Sequence, residues 1–241
     1  MTTKKGSKKK ETTKKLIETE VILVLDRSGS MSSIEVATVN GINAFIEEQK
    51  TAEGKAFITL IQFDNLYEIS YKSVPVNEVK PLIVGETFVP RGMTALYDAI
   101  AKTINEINTD RDVVFVIITD GQENNSLEFR DGAIIKKMIQ EAETKKKWKF
   151  IYMGANQDAI AVSNKFGVKA NNAMTYTADN LHVTNAFANV SANVSNLRSS
   201  KTLYANSLEN DPTLLFSMNA FEALEDSLSF TVSQRMSSVK Q

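Results

Sequence analysis

The chain has 241 residues, 42% of them hydrophobic and 24% charged, which is ample for a sizeable core, and its formal net charge of −1 gives no strong field to draw nucleic acid or a membrane surface. Cysteine is absent, which excludes disulfides, thiolate catalysis and cysteine-held zinc and suits a reducing compartment. No apolar run reaches the length of a membrane span, and no apolar segment follows the N-terminal lysines, so a cytoplasmic protein without membrane association is expected.

Residues 1–17, opening MTTKKGSKKKETTKK, have no apolar periodicity and read as a disordered basic tail. Its plain role is solubility; weak contact with nucleic acid or an acidic partner is the alternative. Glu20–Leu25 is a continuous apolar, β-branched run, the pattern of a strand buried on both faces of a parallel sheet. From Ile34 to about Gln49, the residues Ile34, Val39, Ile42, Phe45 and Ile46 form a helical stripe. A turn over Thr51–Lys55 leads to a second strand, Ala56–Phe63. Leu66–Val74 alternates after a short connection, which makes it antiparallel or an edge strand.

A loop with Pro81, Pro90, Arg91 and Gly92 precedes a helix over Thr94–Ile107. Val113–Thr119, VVFVIIT, is the most hydrophobic strand and ends at Asp120-Gly121. Ser126 to Lys145 reads as helical, Phe150–Met153 as a short strand closed by Gly154. Asp158–Phe166 reads as a helix stopped by Gly167, and Ala173–Tyr176 as a last short strand. Beyond Asp179 the chain becomes Asn/Ser/Ala-rich. Val183, Phe187, Val190, Val194 and Leu197 recur by threes and fours. A second helical candidate carries Leu214, Met218, Phe221, Leu224 and Leu228, with Pro212 at its start. Strands alternating with helices predict an α/β fold over residues 18–178: a Rossmann-like, doubly wound, mostly parallel central sheet flanked by helices. A C-terminal helical extension over 179–241 packs on this core or mediates assembly.

In such sheets, ligands gather at the carboxyl ends of the strands. Asp26, Ser28 and Ser30 follow the first strand in VILVLDRSGSMSS, Asp120 follows VVFVIIT, and Thr94 lies in the RGMT loop. Right-handed crossovers bring these positions to one edge. The set offers carboxylates and hydroxyls, all hard oxygen donors, which suit Mg2+, Mn2+ or Ca2+ rather than zinc or copper. In extended backbone the D-x-S-x-S spacing points its three side chains to one side, and Gly29 permits a tight turn.

DRSGSM, RGMTALYDAI and ITDGQEN together resemble a von Willebrand factor A domain, over roughly residues 18–178. The chain is most similar to the small free-standing members of bacteria and their phages. The resemblance implies a metal-ion-dependent adhesion site built from Asp26, Ser28, Ser30, Thr94 and Asp120. It implies that the hydroxyls contact Mg2+ (or Mn2+ or Ca2+) directly while one or both aspartates act through water. The ion then keeps much of its charge and an open position for an Asp or Glu of a partner protein. The resemblance thus implies a non-enzymatic, metal-dependent protein-binding module, whether in adhesion, adaptor work, stress response or phage–host interference. Arg27 and Arg91 are expected as solvated residues of a partner-binding rim, able to pair with an incoming acid, and Glu123, Asn124 and Asn125 as shaping that rim or standing behind the ligands.

Asp98 reads as a polar helix-face residue, Asp64 as a turn residue, and His182 and Trp148 as surface or packing residues. A Mg2+-dependent hydrolase is disfavoured. There is no P-loop, no G-x-S-x-G elbow, no second aspartate two residues after Asp26 and no histidine near the motif. An assembly protein joined through its C-terminal helices is the remaining alternative.

Overall fold

The computed structural model describes residues 17–210 and 227–240. The strands are β1 (Glu18–Asp26), β2 (Lys55–Phe63), β3 (Tyr67–Pro75), β4 (Asp112–Thr119), β5 (Lys149–Ala155) and β6 (Ala173–Tyr176). They form one sheet in the order β3-β2-β1-β4-β5-β6, in which β3 alone runs antiparallel. The helices are α1 (Glu35–Thr51), α2 (Leu96–Glu106), α3 (Gly132–Lys146), α4 (Ala159–Phe166), α5 (Asn180–Asn210) and a short α6 (Val232–Ser237). The chain winds outward from β1 through β2 to β3, then crosses back to β4 on the other side of β1. That reversal opens a crevice at the carboxyl ends of β1 and β4.

The apolar run of β1 is explained by burial on both faces. Val21, Leu23 and Leu25 join Val114, Val116 and Ile118 of β4 in the layer that holds Phe45 of α1 and Val190 of α5. Ile22 and Val24 join Phe115 and Ile117 in the layer with Ile100 of α2 and Ile139 of α3. Trp148 is buried and stacks on Phe115, a packing role. The expected α/β architecture is therefore found. β3 is irregular: its register with β2 shifts between Ile58 and Ile61, Ser73 adopts a φ of 52°, and Pro75 ends it. Gly167 closes α4 at a φ of 85°, where a side chain would be strained.

α3 begins later than the apolar periodicity predicts, at Gly132 rather than Ser126. The carboxylates of Glu123 and Asp98 capture the backbone N–H groups of residues 125 to 129, which a helix would otherwise need. In α5, the stripe Val183, Phe187, Val190, Val194 and Leu197 is buried within its own chain. A Cβ on Gly41 of α1 would collide with the Phe187 ring, so the glycine sets how closely α1 and α5 approach. Arg198, 1% exposed, reaches from α5 to the end of α1. Its Nη1 donates to the Gln49 carbonyl at 2.8 Å, and its Nη2 to the Gly54 carbonyl at 3.0 Å. Burial lowers its pKa to about 10.

The basic tail, apart from Ile17, and the Pro212–Leu224 part of the second helical candidate lie outside the described residues; Leu228 is buried. α6, unforeseen from periodicity, starts at a reciprocal cap between Thr231 and Gln234. No helix among the described residues is long and apolar enough to cross a membrane.

Candidate metal-binding site

Asp26 ends β1, fully buried, level with Phe63 of β2 and beside Thr119 of β4. Its Oδ1 accepts the Ser28 N–H at 2.7 Å and its Oδ2 the Thr119 hydroxyl at 2.6 Å, so both oxygens are fixed. The Ser28 and Ser30 hydroxyls lie 3.1 Å apart, and Ser30 donates to Asp120 Oδ1 at 2.6 Å. Thr94 is 2% exposed. A Cβ on Gly121 would lie 2.9 Å from Thr94 Oγ1 and 3.7 Å from Asp26 Oδ2. Only a glycine there leaves the space on which the two oxygens face. The predicted donors Asp26, Ser28, Ser30, Thr94 and Asp120 thus come together from three loops at the carboxyl edge of the sheet.

The local backbone differs from the extended segment expected. Gly29–Ile34 is a 3-10 turn, so Ser30 is delivered by a turn leading into α1 rather than by strand alternation. Gly29 serves close approach: its N–H donates to the Gly92 carbonyl at 3.1 Å, and a Cβ would lie 3.4 Å from that oxygen. The Arg91 N–H donates to the Arg27 carbonyl at 2.8 Å, which zips the two loops together.

Arg27 is not the solvated rim residue expected. It is 5% exposed. The pairing of Asp26 with Phe63 places Arg27 across from Asp64, whose fully buried carboxylate draws the guanidinium inward. Arg27 Nε donates to Asp64 at 3.1 Å and Nη1 to Glu68 at 2.8 Å. Arg91 is half exposed but shares the same partners, with Nε 2.8 Å from Asp64 and Nη2 2.6 Å from Glu68. Asp64 also makes its turn, accepting the Leu66 N–H at 2.6 Å. The Arg27 guanidinium above all holds the Glu68 carboxyl below its ordinary range.

Glu123 turns inward and supports the loop from behind, the second of the two places expected for it, and not the rim. Its oxygens accept the Tyr97, Asn125 and Ser126 N–H groups and the Ser126 hydroxyl. Asn124 is exposed at the rim and braces Thr94. Its Oδ1 accepts the Thr94 N–H at 2.9 Å, and its own N–H donates to the Thr94 carbonyl at 3.0 Å. Asp98 is not a donor to the site; it accepts the N–H groups of Leu127, Glu128 and Phe129. His182 is half-buried and paired with Asp179 at 2.7 Å.

Sequence reasoning missed Thr119, which reads as the end of a strand, and the anchoring roles of Asp64, Glu123 and Asp98. The signal available for these was a carboxylate beside a loop that needs N–H acceptors.

Burial pushes the Asp26 carboxyl up to about 6, against hydrogen bonds from Thr119 and Ser28, and the Asp120 charge raises it further. Burial raises Asp120 as well. No lysine, arginine or histidine among the described residues pairs with either carboxylate, because the nearby arginines are committed to Asp64 and Glu68. No group of three His, Cys, Asp or Glu side chains able to hold a metal occurs among the described residues, so hydroxyls complete this set. Paired, poorly solvated carboxylates with converging hydroxyls fit a hard divalent cation.

No protein-family model matches the chain, and no curated protein matches it. Solved structures do. The chain is similar to proximal thread matrix protein 1 from the mussel byssus at 14% identity and a TM-score of 0.54, covering 73% of this chain and 46% of that one. It is similar to a von Willebrand factor type A protein from Catenulispora acidiphila at 15% identity and a TM-score of 0.52, covering 75% of this chain and 43% of that one. It is also similar to the vWF domain of a type V pili tip protein from Porphyromonas gingivalis, at 12% identity and a TM-score of 0.52, covering 74% of this chain and 95% of that domain. The chain thus spans under half the length of the first two. At these identities the likeness shows the fold, that of von Willebrand factor A domains.

Proposed function

We propose that this protein is a divalent-cation-dependent protein-recognition module and not an enzyme. The observation that carries the reading is the convergence of Asp26, Ser28, Ser30, Thr94 and Asp120 on one point at the carboxyl edge of the sheet. These residues would hold Mg2+, or Mn2+ or Ca2+ in its place. When bound, the ion supplies a positive centre that an Asp or Glu of a partner protein completes. Asp26, fixed by Ser28 and Thr119, sets the depth of the seat. Thr94, held by Asn124, closes it from the α2 side, and Ser30 ties it to Asp120. The paired arginines and Asn124 give the surrounding loops a fixed shape, on which selectivity depends.

The site offers no histidine or thiol nucleophile, which favours recognition over catalysis. Capture of partners from a host lysate tests the proposal. Binding is expected in Mg2+ or Mn2+, lost in EDTA and absent in Asp26→Ala. Capture unchanged by EDTA overturns it. Turnover of a generic phosphatase substrate that Asp26→Ala abolishes would instead favour a Mg2+-dependent hydrolase.

A further inference from the structure

Beneath the oxygen cluster, two buried tyrosines carry hydroxyls that the packing does not explain. Tyr152 and Tyr176 are 0% and 1% exposed, yet neither hydroxyl has a hydrogen-bond partner among the described residues. Buried tyrosine hydroxyls ordinarily find one. Packing needs only the rings; Tyr152, for example, lies against Phe166 at 5.8 Å between centroids.

Strand alternation places each hydroxyl. Side chains two apart on a strand share a face. Asp26 follows Ile22 and Val24, whose layer contains Tyr152. Asp120 continues the alternation of Val116 and Ile118, whose layer contains Tyr176. Each carboxylate therefore has one unpaired tyrosine hydroxyl on its own side of the sheet. The register agrees. Thr119, which binds Asp26, pairs with Gly154, one same-face step above Tyr152, while Tyr176 pairs with Ala155 at the top of β5. After burial, the charge that most raises the Tyr152 hydroxyl is Asp26; for Tyr176 it is Asp120, then Asp26. Gln157 adjoins Tyr152 and acts on its hydroxyl as a weak donor that lowers its pKa, but no bond of ordinary geometry forms and both amide atoms are buried; a Cβ on Gly154 would lie 3.0 Å from its Nε2 and from Tyr152 Cε1.

We propose that Tyr152 and Tyr176 are positioning residues of the cation seat, each turning its hydroxyl toward the carboxylate on its own face, Asp26 and Asp120 respectively. The inference rests on the metal reading above. A donor held behind a carboxylate fixes the orientation of its oxygens and favours the ionised form that a cation needs.

The test is Mn2+ titration of the full-length protein, followed by the EPR signal of free Mn2+, beside melting temperatures in EDTA. The variants are Tyr152→Phe and Tyr176→Phe. The control is Tyr67→Phe, whose hydroxyl already pairs with Thr103 at 3.2 Å. Each test variant keeps its ring and is expected to bind Mn2+ about tenfold more weakly or worse. Its melting temperature in EDTA is expected to hold or rise, because an unpaired buried donor has gone. Tyr67→Phe is expected to keep the wild-type affinity. Affinity within about twofold of wild type in either variant overturns the role of that tyrosine and leaves the metal reading standing. A fall of melting temperature in EDTA alongside the lost affinity makes the tyrosine structural and also overturns it. A wild-type protein that binds no Mn2+ overturns both readings.

Discussion

Asp64 shows how one buried carboxylate shapes the rim of the site. It takes two guanidinium groups and a turn N–H, and so keeps Arg27 and Arg91 facing away from the place where a cation is proposed to sit. Asp64→Asn leaves Arg27 buried with only Glu68 for charge, and is expected to cost about 3 kcal/mol in urea denaturation. Asp98 is a pH-dependent strut. Burial acts to raise its carboxyl, but N–H bonds from Phe129, Leu127 and Glu128 outweigh it and hold the group below its ordinary range. A depressed carboxylate contributes stability above its unfolded pKa, about 3.9, and loses it as pH falls through the lower folded value. The stability gap between wild type and Asp98→Asn is therefore expected to be full at neutral pH and to close in acid, followed by urea midpoints across that range. The convergence of Asp26, Ser28, Ser30, Thr94 and Asp120 was legible because these polar residues stand just past apolar segments that end at the carboxyl edge of the sheet. The burial of Arg27 was not, because its partner stands 37 positions away and only the β1–β2 register brings them together.

At the scale of elements, α5 is part of the core rather than an appendage. Its stripe covers the same layer as α1, and Arg198 satisfies carbonyls at the α1 terminus that would otherwise be orphaned. Deleting residues 179–241 exposes Ile42, Phe45 and their neighbours, and is expected to abolish cooperative thermal unfolding; calorimetry of the truncated chain reads it. Arg198→Leu is expected to destabilise by about 2 kcal/mol or more in urea, since several carbonyls lose a charged donor together. Strands and most helices were legible because their periods are local properties. The start of α3 was displaced because acceptors on Asp98 and Glu123 compete for its first N–H groups, and no periodicity registers that competition. α6 was missed for lack of an apolar stripe, although the Thr231 and Gln234 spacing of its cap was in plain view.

For the whole molecule, the proposed ion is a ligand of the folded state alone. Mn2+ or Mg2+ at a hundred times its dissociation constant is expected to add about 2.7 kcal/mol of stability. EDTA is expected to reverse the gain and Asp26→Ala to lack it; a melting temperature indifferent to these ions contradicts the seat. The doubly wound order was legible in class from alternating strands and helices, and the short β2–β3 connection foretold the one antiparallel partner. The irregularity of that outer strand has a consequence for the molecule among its copies. An open sheet margin is a template for strand addition by another chain. Here one margin is broken by shifted register, Ser73 and Pro75, and the other, β6, is only 4 residues long. Crowded copies meet flanks that resist fibril-like strand addition at either edge.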